Sequence, residues 1–278
     1  MGRIVGALGM SHIMFPPTGI EEQAERILSH MLEIRHRLHA MRPDLIVLAG
    51  ADHLNTFTLA MQVTLAIGVS DRFTTLGDGG VPVREFAGHR AFAEGFARFA
   101  SRRGFELVQA EEVRPDHGTA FPKLVLDPDN AIPTVPLFIN AAMPVPPQPS
   151  RCLALGEALA AYVATERPAD ERVAVVGTGG LSHWLRLPDE GRIAEDFDRA
   201  VIAALVAGEA PRLAQMDSDA IIEAAGNGGL EVIAWLFAAG ALPGARGEAI
   251  YYEPVPAWIT GMGAVELFAE TAAAGKGD

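Results

Sequence analysis

Short apolar runs bounded by Gly, Pro or Asp alternate along the chain with longer stretches of helical period. The runs cover residues 4–10, 45–48, 134–139 and 173–176. Unbroken apolar runs of this length are typical of strands buried on both faces of a sheet. Helices are predicted at about 20–41, 91–101, 149–165, 193–207 and 229–239. The repeated order of strand and helix predicts an α/β fold with a largely parallel central sheet flanked by helices.

The first predicted helix shows the clearest helical period. Its apolar positions include Ile27, Met31 and Ile34, which recur every three or four residues and define one buried face. Thr18 and Glu21 stand in the spacing of a capping box, which predicts that the helix begins beside them. Proline cannot continue a helix, so the helix is expected to end before residue 43.

The chain reads as one domain with few irregular segments. Glycines at 77, 79 and 80 predict a surface loop over 71–82, and the proline-rich segment 141–150 predicts another loop. We find no internal repeat. The prediction is therefore a single catalytic domain over residues 1–271 and a flexible tail over 272–278.

Composition excludes several classes of partner and site. The formal net charge of −13 would repel nucleic-acid backbones. No run approaches the roughly 20 apolar residues of a membrane span, and the start does not have the pattern of a signal peptide. A single cysteine rules out an intrachain disulfide. We expect a cytoplasmic protein with neither nucleic acid nor membrane as a partner.

Polar residues follow several of the predicted strands. His12, His53 and His183 come after three of them, and Asn140 follows a fourth. Sites in open α/β sheets form outside the carboxyl ends of the strands, so these side chains are expected to meet. The alternative is that each histidine only caps or fills a loop. A further candidate, the pair Asp116 and His117, suits either an acid beside the site or a simple loop turn.

Glu231 is the only charged residue in an apolar helical segment, GLEVIAWLFAAGAL. A buried carboxylate is costly unless it is paired or binds a cation, although the first turn of a helix could also satisfy it. Two histidines and one carboxylate form the facial triad of non-haem Fe(II) oxygenases. A zinc hydrolase uses the same ligand types, so the triad alone does not identify the reaction.

Several motifs, taken together and in order, resemble one known family. They are SHI at 11–13, DH at 52–53, DHG at 116–118, FIN at 138–140, RCLALGEAL at 151–159, GTGGLSH at 177–183, GNGGLEVIAWL at 226–236 and YYEPVPAWITGMGA at 251–264. They resemble the class III (LigB-type) extradiol ring-cleaving dioxygenases, which include protocatechuate 4,5-dioxygenase β subunits and 2,3-dihydroxyphenylpropionate dioxygenases.

The resemblance implies a role for each candidate. It implies that Fe(II) is held by His12, His53 and Glu231, that O₂ is the co-substrate, and that the site lies in a cleft at the carboxyl ends of the strands. The same ligands also accept Mn(II), so the sequence leaves the native metal open. It implies that His183 is the acid–base residue and that His117 assists it. The remaining candidates, as substrate contacts, are Asn55, Asp116, Trp258 and Ile259.

The implied reaction opens a catechol-type ring to a semialdehyde-type product in aromatic catabolism. Trp258 and Ile259 are apolar and could not compensate a carboxylate, which favours a larger, methoxylated or less polar ring substituent over protocatechuate. Some relatives use a small helical subunit, so we expect either a homo-oligomer or such a partner. The competing interpretations are a zinc-dependent hydrolase or lyase and a non-enzymatic binding protein. A non-enzymatic binding protein would be expected to lack one of the three metal ligands or His183. All four residues are present in this chain.

Overall fold

The computed structural model describes residues 1–13 and 15–269. The predicted tail over 272–278 and the end of the predicted domain therefore lie outside the described residues. The strands are β1 Arg3–Met10, β2 Leu45–Gly50, β3 Leu65–Gly68, β4 Arg72–Thr74, β5 Glu85–Ala87, β6 Val108–Ala110, β7 Thr134–Ile139, β8 Arg172–Thr178, β9 Arg246–Val255 and β10 Thr260–Phe268. The helices are α1 Glu21–Ala40, α2 Arg90–Ser101, α3 His117–Leu126, α4 Pro149–Glu166, α5 Glu195–Val206, α6 Ala210–Leu213, α7 Ser218–Gly229 and α8 Val232–Gly240.

The main sheet runs in the order β6-β3-β7-β2-β8-β1-β10-β9. Its central strands β7, β2, β8 and β1 are parallel to one another, whereas β3 and β10 pair antiparallel with the two ends of that group. Every residue of β2 and β7 is buried, as predicted for strands covered on both faces. The prediction of an α/β fold with a largely parallel central sheet is confirmed.

Helices cover both faces of the sheet because neighbouring strand residues point in opposite directions. Val47 in β2 packs in one apolar cluster with residues of α2, α4, α5 and α8. The next residue, Leu48, packs in a second cluster with residues of α1 and α3. The predicted strands are therefore the middle layer of a three-layer domain.

Two local predictions are wrong. Helix α1 buries the predicted face, but the N-cap residue is Ile20 and no side chain caps the helix. Thr18 lies too far before the first turn to do so, and Glu21 instead accepts a hydrogen bond from the Gly19 amide at 2.9 Å. The segment 71–82 is not only a loop, because it begins with β4, which pairs with β5 in a small separate sheet.

Helix α8 is short and buried at all of its positions. It starts three residues later than predicted, and α7 precedes it with a bend of 110° between the two helices. Among the described helices, none is long and apolar enough by itself to cross a membrane, and only this bent pair passes that test when taken together. The bend at residues 230 and 231 determines where Glu231 lies.

Candidate metal centre and active site

Three predicted ligands meet at the carboxyl ends of the central strands. His12 follows β1, His53 follows β2, and Glu231 lies between α7 and α8. The Nε2 atom of His53 lies 3.1 Å from Oε1 of Glu231, and Nε2 of His12 lies 3.8 Å from Oε2 of the same carboxylate. The fold therefore brings these residues, which we call the triad, to one point.

Close packing of α8 on the sheet positions Glu231. A Cβ atom at Gly177 in β8 would lie 2.2 Å from the carbonyl oxygen of Ala234, so only glycine lets the helix come so near. Beyond the end of β8, the Gly180 amide donates a 2.7 Å hydrogen bond to Oε2 of Glu231. The glycine-rich turn before His183 thus brings the backbone close to the site.

The Glu231 side chain is 6% exposed and faces the histidines. It makes no hydrogen bond that caps α8, so the alternative in which solvent and the helix end satisfy it is wrong. Burial acts to raise its pKa, but the His12 and His53 imidazoles outweigh burial and hold the pKa below its usual range. The triad therefore contains an ionised buried carboxylate.

The two imidazoles of the triad differ in electrostatic environment. Burial lowers the pKa of His12 to about 3, which keeps this imidazole in the neutral form that binds metals. Burial also acts to lower the pKa of His53, but hydrogen bonds to Asp116 and Glu231 outweigh it and raise that pKa to about 10. In the metal-free protein, protonated His53 therefore donates from Nδ1 to Asp116 and from Nε2 to Glu231.

Asp116 orients His53. Its Oδ2 atom accepts hydrogen bonds from the His53 amide at 2.7 Å, from His53 Nδ1 at 3.2 Å and from Asn55 Nδ2 at 2.8 Å. Its Oδ1 atom accepts from the Gly118 amide, so it also caps α3. A carboxylate behind a metal-binding histidine fixes the ring and its tautomer. Asp116 and Asn55 thus support His53, and their contact with substrate stays a prediction.

His117 is the first residue of α3 and lies beside the triad. Its ring stacks on that of His53, with the centroids 4.2 Å apart and the planes inclined by 26°. His12, His53 and His117 each offer a ring nitrogen within 4.8 Å of the others. The structure thus places the predicted assisting residue against a histidine of the triad.

Sequence reasoning missed the partner of His117. Oδ1 of Asp78 accepts from the His117 amide at 2.9 Å, and Oδ2 lies 2.6 Å from Nδ1 of its ring. Asp78 was passed over because it lies in the segment predicted to be a surface loop. The available signal was an acidic residue enclosed by glycines, in the sequence GDGG.

His183 lies in a narrow slot next to the triad. Its Nδ1 atom donates to the Leu181 carbonyl at 2.7 Å, which leaves Nε2 with the free lone pair. A Cβ at Gly228 would lie 1.9 Å from Nε2, and one at Gly180 would lie 2.6 Å from Cε1. One glycine from each motif, Gly180 and Gly228, therefore makes room for this ring. The His183 amide donates to the Ala225 carbonyl at 2.9 Å.

A buried polar network that sequence reasoning missed anchors the loop of His183. Asp198 in α5 accepts from the Ser182 amide at 2.7 Å, from the Ser182 hydroxyl at 2.8 Å and from the Tyr252 hydroxyl at 2.9 Å. Ser182 also accepts from the Ala194 amide at 2.7 Å. Hydrogen bonds thus connect Ser182, the residue before His183, to Asp198 in α5 and, through Asp198, to Tyr252 in β9.

The apolar pair predicted to meet substrate occupies the turn before β10. Trp258 is 1% exposed, packs in the same apolar cluster as Met10 and Met262, and donates from Nε1 to the Pro16 carbonyl at 3.3 Å. Ile259 adopts a left-handed backbone with φ of 55°. This turn supports the loop that follows His12, and a direct substrate contact by either residue stays a prediction.

Comparisons with known proteins identify the family of this chain. The family described as the catalytic LigB subunit of aromatic ring-opening dioxygenase matches residues 6–263. A 2,3-dihydroxyphenylpropionate/2,3-dihydroxicinnamic acid 1,2-dioxygenase of Klebsiella pneumoniae is 25% identical over 307 aligned positions, which cover 92% of this chain and 96% of the relative. The Escherichia coli K12 protein of the same name matches with the same identity and coverage.

A solved structure shares the fold. The crystal structure of an uncharacterised Escherichia coli K12 protein superposes with a TM-score of 0.59 at 18% identity, over 94% of this chain and 98% of the other. This likeness concerns the fold alone. The family match, in contrast, spans nearly the whole described chain and includes the triad, His117 and His183. The chain therefore belongs to the family of catalytic LigB subunits of aromatic ring-opening dioxygenases.

Proposed function

We propose that the protein is a non-haem Fe(II)-dependent extradiol dioxygenase that opens the ring of a substituted catechol with O₂ to a semialdehyde-type product. The observation that carries the proposal is the triad of His12, His53 and Glu231 at the strand ends in a member of this family. Two imidazoles and one carboxylate on one side of a cation are the ligand set of Fe(II) oxygenases.

The donor atoms of the triad suit one cation. Metal–nitrogen and metal–oxygen bonds of about 2.0–2.2 Å place neighbouring ligand atoms roughly 3 Å apart. The Glu231 carboxylate lies 3.1 Å from Nε2 of His53 and 3.8 Å from Nε2 of His12, so a bound cation would draw His12 closer. Glu231 is ionised and His12 neutral, as metal ligands must be, whereas His53 would release a proton when the metal binds. When bound, Fe(II) would supply a Lewis acid with open positions at which a catechol and O₂ can meet.

Two imidazoles next to the triad are placed to move protons. His183 and His117 each engage Nδ1 in a hydrogen bond, with the Leu181 carbonyl and with Asp78. Each ring therefore has Nε2 free to take a proton from a catechol hydroxyl. A neutral imidazole is the side chain best suited to accept a proton near neutral pH and return it later. We assign His183 as the acid–base residue and His117 as its assistant.

Loops that leave the site carry exposed apolar side chains. Phe15 follows His12, Leu54 follows His53, and Leu185 follows His183, and these three side chains are between 37% and 41% exposed. Exposed apolar side chains that follow the site residues along the chain favour an apolar group on the ligand. We propose a catechol with an apolar or methoxylated side group as the substrate class, and protocatechuate as a poor substrate.

The test is oxygen uptake by protein loaded anaerobically with Fe(II). The panel would contain catechol, 2,3-dihydroxyphenylpropionate, protocatechuate, gallate and its methyl ethers, with absorbance scanned for a ring-opened product. We expect uptake and a new visible band with at least one apolar-substituted catechol. His12→Ala should abolish turnover and His183→Gln should slow it strongly. The exposed His36 on α1 provides the matched control, His36→Ala, which should behave as the wild type.

Metal replacement separates the competing functions. Zn(II)-loaded protein should bind catechols without consuming O₂, and Mn(II)-loaded protein shows whether Fe(II) is required. No uptake with any diol by protein that retains Fe(II) would contradict the proposal. Hydrolysis or lyase activity of the zinc form would favour a zinc enzyme instead, because both reactions can use the same ligands.

A further inference from the structure

The carboxylate of Asp78 makes two hydrogen bonds to one residue. Oδ1 accepts from the His117 amide at 2.9 Å and Oδ2 from Nδ1 of the His117 ring at 2.6 Å. An ionised carboxylate can only accept, so the proton of the neutral ring must be on Nδ1. Nε2 is then left with the lone pair.

The loop that carries Asp78 is docked on the segment before His117. The Leu76 amide donates to the Pro115 carbonyl at 2.8 Å, and the Val81 amide closes a turn on the Asp78 carbonyl at 2.9 Å. Gly79 has φ of 58°, and a Cβ there would lie 3.1 Å from Cβ of His117. The loop thus holds Asp78 against the His117 imidazole. A residue larger than glycine at position 79 would crowd the His117 side chain.

The arrangement matches that of the neighbouring histidine. Asp116 holds Nδ1 of His53, Asp78 holds Nδ1 of His117, and the two rings stack. Each carboxylate therefore fixes the direction of one imidazole, and Nε2 of His53 faces Glu231. The difference is that His53 belongs to the triad, whereas His117 is the proposed proton carrier.

We propose that Asp78 is a positioning residue for the ring-opening reaction: it fixes His117 in the Nδ1–H tautomer, with Nε2 available to the substrate. This inference deepens the proposed function and depends on it for the role of His117. The plain structural alternative is that Asp78 only satisfies the first amide of α3. Asparagine accepts a helix N-terminal amide about as well as aspartate does, so Asp78→Asn separates the two.

The first measurement is made on the metal-free protein and does not require activity. Long-range ¹H–¹⁵N spectra of the histidine rings distinguish protonated from unprotonated nitrogens, and a His117→Gln sample identifies the signals of His117. We expect the wild type to show the Nδ1–H tautomer. In Asp78→Asn the side-chain NH₂ can donate to Nδ1, so the Nε2–H tautomer should become dominant. An unchanged tautomer in Asp78→Asn would overturn the proposal.

The second measurement compares two matched variants after Fe(II) loading. Outer carboxylates of this kind typically change affinity or activity by about 10- to 100-fold. Asp78→Asn should lower kcat by that factor, with KM and Fe(II) affinity within about twofold of the wild type. Asp116→Asn should instead weaken Fe(II) binding by about 10- to 100-fold, because its partner is a triad histidine. Asp78→Glu should recover part of the lost kcat.

The two arms separate failure of this inference from failure of the function. If wild-type protein opens no catechol but the tautomer changes in Asp78→Asn, the proposed function fails while the positioning of His117 is upheld. If the wild type is active and Asp78→Asn changes the tautomer without changing kcat, Asp78 has no part in the reaction. An equal loss of Fe(II) binding in Asp78→Asn would also overturn the proposal, since Asp78 would then support the triad.

Discussion

Nε2 of His53 lies 3.1 Å from Oε1 of Glu231, although the two residues are 178 positions apart in the chain. Neither residue belongs to a regular element: one follows a strand, and the other occupies the bend between two helices. The contact exists because β2 and α8 both pack against β8. The three-layer packing of the domain thus creates the site.

The charge of Glu231 should determine metal binding. Glu231→Gln preserves the size of the side chain but removes the negative charge that compensates a divalent cation. We expect Fe(II) affinity to fall by at least about 100-fold, more than for a residue outside the ligand set. Anaerobic titration of apo protein, or competition with a chromogenic chelator, measures the change.

A matched variant controls for the substitution itself. Glu223 is exposed on α7, and Glu223→Gln should leave the affinity unaltered. Wild-type affinity in Glu231→Gln would show that the cation is held elsewhere, and the triad assignment would be wrong.

The absence of a side chain at Gly228 should be essential for His183. A methyl group there would lie 1.9 Å from Nε2 of the imidazole, so Gly228→Ala must displace the ring. We expect kcat to fall at least about 10-fold, as is usual when a proton-transfer residue is misplaced. The unfolding free energy should fall by about 1–3 kcal/mol, the usual cost of overpacking. Fe(II) affinity should change little.

Gly191→Ala controls for the added methyl group. Gly191 has φ of 89° and no atom near its Cβ position, so this variant strains the backbone but displaces no ring. It should keep its kcat. Full activity in Gly228→Ala would show that Nε2 of His183 is not the working atom.

Tyr252 should stabilise the protein through Asp198. Its hydroxyl donates a 2.9 Å hydrogen bond to a fully buried carboxylate that also serves Ser182. Tyr252→Phe removes that donor, and we expect the unfolding free energy to fall by about 1–2 kcal/mol. Chemical denaturation followed by tryptophan fluorescence measures it.

The preceding residue offers a matched control for that variant. The buried hydroxyl of Tyr251 has no hydrogen-bond partner within the described part of the chain. Tyr251→Phe should therefore be neutral or slightly stabilising. Equal losses in Tyr251→Phe and Tyr252→Phe would show that the network contributes nothing specific.

Cys152 should be unreactive in the folded protein. The thiol is fully buried in α4, and burial raises its pKa to about 12. The thiolate is the reactive form, so iodoacetamide at about pH 8 should label native protein very slowly. In denaturant, one thiol per chain should react at the rate of a free cysteine. Rapid labelling of native protein would mean that α4 opens readily from the sheet.

The sequence by itself determined the layers of the fold and which kinds of side chain, imidazole and carboxylate, form the candidate site. Unbroken apolar runs at 45–48 and 134–139 specify strands buried on both faces, because burial of apolar side chains is the main favourable term in folding. Polar residues at strand ends, and one acid in an apolar segment, made His12, His53 and Glu231 the candidates. These signals are local, so they can be read without knowing which elements pack together.

Only the tertiary structure decided how those residues are held. The pairing of Asp78 with His117 spans 39 positions, that of Asp116 with His53 spans 63, and Glu231 receives the Gly180 amide over 51. Such hydrogen bonds depend on the distance between elements and on side-chain direction, which residue type does not specify. The same reason explains why the Thr18 cap was wrong: the helix began where its packing on the sheet and the loop before it allowed, and not at the local motif.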